Sequence, residues 1–150
     1  MAKTLSNIIT HIVFSTKKRQ HWLQKEICKE LYPYIGKILQ NHGCYVHQIG
    51  GMPDHIHIAC TLSPTIAISK LVEEIKTSTS KWLKHKDANL INFYWQHGYG
   101  AFSISRTHLD ALKSYVTNQE AHHLKTTFQD EFTALLQKNN LAIDPRYLWD

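Results

Sequence analysis

The stretch Pro53-Asp54-His55-Ile56-His57-Ile58-Ala59-Cys60 decides how this chain is read. Side chains alternate across a strand, so Ile56, Ile58, Cys60 and Leu62 face one way, toward a core, and His55, His57, Ala59 and Thr61 face the other. Two imidazoles at i and i+2 stand about 6.6 Å apart along a strand rising roughly 3.3 Å per residue. Converging rings at that spacing can chelate one divalent ion, and imidazole suits Zn, Mn, Fe and Ni better than Mg unless oxygens complete the sphere. The pair also reads as two surface histidines on a half-exposed strand, in a chain that holds 11 histidines. Two other enzyme types built on such a pair fit less well. A histidine-triad hydrolase needs a third histidine where Ala59 stands, and a phosphoesterase with His-x-Thr/Ser motifs needs a hydroxyl where His57 stands.

Working outward, Gly51-Met52-Pro53-Asp54 is a short loop joining strands predicted at 44–50 and 55–62, which makes them an antiparallel pair. Upstream, residues 7–15 alternate Ile8, Ile12 and Phe14 with polar Thr10 and read as a strand, followed by the basic turn Thr16-Lys17-Lys18-Arg19. Apolar residues fall at helical spacing over 21–42, with a kink or two abutting pieces predicted at Pro33 and Gly36, and Gly43 stops the helix. Downstream, a helix over 65–85 puts Ile68, Leu71, Val72, Ile75, Thr79 and Trp82 on one stripe and Lys70, Lys76, Lys81 and Lys84 on another. Short strands are predicted around Phe93-Tyr94-Trp95 and over 101–105. Thr107-x-x-Asp110 has the pattern of a capping box opening a third helix, a further helix covers 126–138, and the tail ends Tyr147-Leu148-Trp149. The order β-α-β-β-α-β-β-α-α predicts one α+β domain over 1–150 with a ferredoxin-like antiparallel sheet. Helices would cover one face and leave the other free to bind a ligand or a second subunit.

Composition narrows the class. At 150 residues, 43% hydrophobic and 19% charged, the chain can bury a core without disulfide or metal staples and is neither disordered nor fibrous. No apolar run approaches the roughly 18 residues of a membrane span, and the first residues lack the apolar centre of a signal peptide. Three cysteines without CxxC spacing read as reduced thiols of a cytoplasmic protein. A net charge of +5, with four Trp, seven Tyr and five Phe, leans toward a polyanionic partner.

On the third helix, Tyr115, Gln119 and His122 form one polar line beside the apolar stripe Leu109, Leu112 and Val116. Tyr115 reads as a rim residue of that stripe, or as a nucleophile if an activated electrophile such as a metal-bound phosphate stands against it.

Four blocks in order then resemble the single-tyrosine HUH transposases of small bacterial insertion sequences and their repeat-associated relatives. They are His11-Ile12-Val13-Phe14-Ser15-Thr16-Lys17-Lys18-Arg19, Gly51-Met52-Pro53-Asp54-His55-Ile56-His57, Trp95-Gln96-His97-Gly98-Tyr99-Gly100-Ala101-Phe102-Ser103-Ile104-Ser105 and Tyr115-Val116-Thr117-Asn118-Gln119-Glu120-Ala121-His122-His123. The resemblance implies an RRM-like core that forms a sheet-mediated homodimer, with each active site shared between subunits. It implies His55, His57 and Gln119 as ligands of Mg²⁺ or Mn²⁺, Tyr115 as nucleophile, and single-stranded DNA with hairpin ends as substrate. No membrane and no small-molecule cofactor enter, and the setting is the bacterial cytoplasm and nucleoid. Lys17, Lys18, Arg19, Lys70, Lys76 and Arg106 are candidate phosphate contacts, which makes binding salt-sensitive. The rival readings are a non-catalytic RRM-like protein that binds hairpin DNA or RNA, and another HUH endonuclease of the replication-initiator or relaxase type.

Overall fold

β1 (Ile9–Ser15) is buried along its whole length, including its polar residues, because it is central in the sheet and covered on both faces. In the computed structural model, which describes residues 3–142, four antiparallel strands run in the order β2-β3-β1-β4. β2 (Tyr45–Met52) and β3 (His55–Thr61) form a hairpin whose turn is only Pro53-Asp54, tighter than the sequence suggests. β4 is Gly100–Ile104. The segment at 93–95 makes only an isolated bridge, Trp95 to Thr16, and is not a fifth strand. Its aromatics serve as core instead. Trp95 meets Phe14 and Phe93 edge-on at 4.9 and 4.8 Å and donates its indole N–H to Thr79 Oγ1 at 2.9 Å.

One face carries α1 (Lys25–Asn41) and α2 (Ile68–Lys86), whose buried Leu31, Ile35, Leu39, Leu71 and Ile75 meet Ile12, Phe14, Ile56 and Ile58. α1 runs as one helix through Pro33, not as two pieces, and ends where Gly43 takes φ +78°.

The face expected to be free is covered as well. α3 (Leu109–Thr117) packs Leu112 and Val116 on Ala59, and α5 (Phe128–Lys138) packs Phe128, Phe132 and Leu136 on Val13 and Phe102. Their apolar stripes would otherwise stand in water, and at about 25 cal/mol per Å² that burial decides the matter. Both faces of the sheet therefore carry helices among the described residues. The capping box does not form: residues 106–108 make a 3-10 turn and His108 precedes α3 without a side-chain cap. The long tyrosine helix is instead broken at Asn118, after which α4 (Gln119–His122) starts anew. α5 begins as expected, with Thr127 Oγ1 accepting from the Asp130 N–H at 3.2 Å. The expected reading of Tyr147-Leu148-Trp149 falls outside the described residues. All three cysteines are free and buried.

Candidate active site and metal centre

Register puts the histidines where they meet. β3 pairs with β1 so that His55 faces Ser15, His57 faces Val13 and Ala59 faces His11, and residues paired in this way share a face. His55, His57 and His11 therefore all look toward α3–α5, and each is at most 2% exposed. Neither of the pair is a surface histidine.

α3 reaches them because β2 has no side chain in the way. A Cβ added at Gly50 would lie 2.3 Å from the Val116 carbonyl oxygen, so only glycine lets the helix backbone come down on the hairpin. Tyr115, one residue earlier, then stands edge-on to His57 with ring centroids 5.5 Å apart. Its hydroxyl donates to Glu131 Oε2 on α5. Gln119, after the break, donates its Nε2 to the Tyr115 carbonyl at 3.2 Å and so turns Oε1 toward His55 Nε2 at 3.0 Å.

The hydrogen bonds fix which atoms carry lone pairs. Asp54 Oδ1 can only accept, so His55 Nδ1 donates to it at 2.7 Å and leaves Nε2 facing inward. The Thr126 carbonyl likewise takes His123 Nδ1–H at 2.9 Å, leaving His123 Nε2 3.0 Å from Gln119 Oε1 and 3.2 Å from Glu131 Oε1. His57 Nε2 lies 3.0 Å and His55 Nε2 3.4 Å from Glu131 Oε1. Acceptors converging in this way are held together by protons or by a cation. One ligand atom each from His55, His57, His123 and Glu131 falls within a 4.8 Å span. Donors around a tetrahedral ion with bonds of about 2.0–2.1 Å stand about 3.4 Å apart, and the three imidazole nitrogens lie 3.0–3.4 Å from Glu131 Oε1. The donor set fits a divalent ion.

Electrostatics agree with that arrangement. Burial pushes His57 down to about 4, against the pull of Glu131, and burial with the neighbouring His57 pushes His11 down to about 3, so both rings are neutral at pH 7. Burial alone would raise the Glu131 carboxyl, but hydrogen bonds from His123 and His57 hold it well below the carboxylate range. Burial and the Glu131 charge push the Tyr115 phenol above its ordinary 10. His11 Nε2 and His57 Nδ1 share a 2.7 Å hydrogen bond, and together with Asp54 on His55 this is the outer support that orients metal-binding imidazoles. A cleft of about 380 Å³ between β4, α3 and the end of α5 reaches Tyr115 and His11 from the surface, with Ser103, Ser105 and Lys138 on its walls.

The structure thus brings together Tyr115, His55, His57 and Gln119 as the sequence suggested, and adds His11, His123 and Glu131. They meet within one chain, where the break at Asn118 and the bare Gly50 fold α3 back on its own sheet. The candidate phosphate contacts separate. Lys17, Lys18 and Arg19 form the turn after β1, and Arg106 is exposed before α3. Lys70 pairs with Glu74 at 3.2 Å, and Lys76 Nζ donates to the Gln96 and Gly98 carbonyls at 2.8 and 2.6 Å, so both heads already have partners within the chain. Gln96 Oε1 in turn accepts the Ser15 N–H at 2.6 Å, tying the Trp95-Gln96 block to the strand end beside His55.

Solved structures share this architecture. One described as "a putative transposase from Deinococcus radiodurans R1" superposes with a TM-score of 0.61 over 79% of this chain and 98% of its own, at 20% identity. A REP-associated tyrosine transposase bound to a REP hairpin gives 0.59 over 82% of this chain and 74% of its own, at 19% identity. No curated protein sequence matches the chain. Residues 4–119, from before β1 through Gln119, match the model of the family described as "Transposase IS200 like". The chain belongs to the IS200-like transposase family.

Proposed function

We propose that this chain is a DNA transposase that breaks and rejoins single-stranded DNA through a covalent bond to Tyr115. The observation that carries the reading is Glu131, whose Oε2 takes the Tyr115 hydroxyl while Oε1 faces the His55, His57 and His123 imidazoles. Tyrosine is a weak nucleophile at its ordinary pKa of about 10, and burial weakens its ionisation further. It needs both orientation and an activated phosphate. Glu131 supplies the orientation; held below the carboxylate range, it is a positioning group and a weak base. His55, His57 and Glu131 would hold the divalent ion, with His123 and Gln119 at its rim. Bound there, the ion supplies Lewis-acid polarisation of a non-bridging oxygen of the scissile phosphate.

The chemistry is a transesterification. Tyr115 Oη bonds to phosphorus in line as the bond to the 3′ oxygen breaks; the phenol loses a proton and the departing 3′ oxygen gains one. The product is a 5′-phosphotyrosine and a free 3′-hydroxyl. Bond energy is conserved, so another 3′-hydroxyl can reverse the step at a new junction without water or a nucleotide triphosphate. DNA reaches the site along the cleft beside α3, and hairpin ends are its recognition feature, in line with the hairpin-bound relative. One chain offers one tyrosine, Tyr115, at the histidine cluster, so two DNA ends call for a homodimer, formed through a sheet edge since both faces are covered.

The test is a denaturing gel for covalent protein–DNA adducts, with labelled strands from the gene's flanks and Mn²⁺ or Mg²⁺. An adduct is expected that disappears with Tyr115→Phe and with a chelator. Salt-sensitive hairpin binding without any adduct would overturn the catalytic reading in favour of a binding protein.

A further inference from the structure

Away from the buried cluster, the basic turn after β1 builds a second surface feature. Lys18 and Arg19 both take φ 56°, the left-handed region that L side chains avoid. The turn is pinned at each end. The Lys17 N–H donates to the Tyr94 carbonyl at 2.8 Å, the Thr16 N–H to the Asp54 carbonyl at 2.9 Å, and Thr16 Oγ1 to the Gln20 carbonyl at 2.6 Å. Tyr94 is thereby fixed beside the turn. Its neighbours Phe93 and Trp95 are core, yet Tyr94 itself is 56% exposed. Lys84 Nζ, from the last turn of α2, stands 4.3 Å from the ring centroid, and Lys17 Nζ stands 5.9 Å away. An aromatic face left in water between two ammonium groups does little for the fold. It is the arrangement that takes an unpaired base on the ring and its flanking phosphates on the lysines. Lysine stems are flexible, so an ammonium can swing from ring to phosphate as a base takes its place. Thr16 sits between Trp95 and Asp54, so the backbone that carries Tyr94 runs about two strand spacings, on the order of 10 Å, from the Asp54–His55 backbone.

We infer that Tyr94 is a stacking platform for an unpaired base of single-stranded DNA, with Lys17, Lys18 and Lys84 on the adjoining phosphates. This rests on the proposed action on single-stranded DNA and names where a strand leaving the cleavage site is gripped.

The experiment measures binding of a short fluorescein-labelled oligothymidylate by anisotropy to the wild type, Tyr94→Phe and Tyr94→Ala. A second oligonucleotide carries 5-iodouracil for photocrosslinking to the wild-type chain. Stacking predicts that Tyr94→Phe binds like the wild type, that Tyr94→Ala loses about 5- to 150-fold in affinity with an unchanged melting temperature, and that the crosslink maps to Tyr94. Equal affinity of Tyr94→Ala and wild type, a loss in Tyr94→Phe as large as in Tyr94→Ala, or a crosslink elsewhere overturns the platform while leaving adduct formation at Tyr115 to stand. Failure of the wild type to bind oligothymidylate or any hairpin strand overturns both readings, and binding with the crosslink at Tyr94 but no adduct overturns the catalytic reading alone. The crosslink is read on the wild type, so it does not depend on a variant folding.

Discussion

The close approach of a helix backbone to the hairpin gives the sharpest prediction. α3 touches β2 at Gly50, where an added Cβ would sit 2.3 Å from the Val116 carbonyl oxygen. Carbon and carbonyl oxygen settle no nearer than about 3.3 Å even in close Cα–H contacts, so Gly50→Ala must push α3 outward by about 1 Å. The obstacle is backbone, which cannot rotate away. Such overfilling typically costs about 1–3 kcal/mol in stability. Tyr115 rides on the moved helix, and a displacement of about 1 Å at a reacting group costs on the order of 10²-fold in rate. His55 and His57 lie on β3 and stay where they are. Gly98 is the control, since a Cβ there meets nothing within 4 Å. Gly98→Ala should match the wild type in melting temperature and adduct yield, and Gly50→Ala should lose both while still binding Mn²⁺ by calorimetry. If Gly50→Ala melts and cleaves like Gly98→Ala, α3 does not rest on the hairpin and the whole cluster is misassigned.

Three further outcomes follow from single contacts. Asp54→Ala removes the acceptor that orients His55 and should lower Mn²⁺ affinity about 10- to 100-fold by calorimetry, with little change in melting temperature. Thr79→Val takes away the acceptor of the buried Trp95 indole N–H and should destabilise by about 1–3 kcal/mol in urea unfolding, whereas Thr79→Ser should restore most of it. Lys76→Met releases two loop carbonyls and should cost about 1–2 kcal/mol at pH 7 while leaving the salt dependence of DNA binding unchanged; a reduced slope would make Lys76 a phosphate contact after all. Burial lowers the Lys76 ammonium to about 8 from its ordinary 10.5, so the unfolded chain binds more protons between those values. Wild-type stability should therefore rise with pH across that window, by at most about 1.4 kcal/mol per pH unit, and the rise should be missing from Lys76→Met.

Local patterns were legible in the sequence where one element decides them alone. Alternation fixed the faces of β3, spacing of four linked Tyr115 to Gln119, and Gly43 marked the end of α1. What no local pattern states is which face of a sheet an amphipathic helix will cover. The stripe of α3 and the helix over 126–138 were visible, but the expectation of helices on one face left them without a destination. Glu131 was missed for the same reason. Its partner His57 is 74 residues away, and a glutamate in a helix ordinarily reads as solvated. A signal was present nonetheless: Glu131 falls within the stripe Phe128, Phe132, Leu136, where a carboxylate must find partners or pay heavily for burial. His11 offers a similar one, standing between Ile9 and Val13 on the inward alternation of a strand buried throughout.

The family match ends at Gln119, yet the site does not. Two imidazoles and a carboxamide oxygen make a sphere that still leaves positions for water and substrate, and such a sphere can serve Mg²⁺ as well as Mn²⁺. His123 and Glu131, supplied after the match ends, change its character. Two imidazoles and a carboxylate, with a third imidazole at the rim, would favour a borderline ion over Mg²⁺, which prefers oxygen and keeps its waters. The same carboxylate also ties the phenol to the imidazoles, one oxygen to each. An ion drawn to Oε1 therefore acts on the group that aims Tyr115 through Oε2, and a change at either end is transmitted across a single rigid plane. In this chain Tyr115 and the His55–His57–His123 cluster are joined through one residue of α5, so the packing of Phe128, Phe132 and Leu136 that seats α5 on Val13 and Phe102 also sets how the phenol stands to the imidazoles.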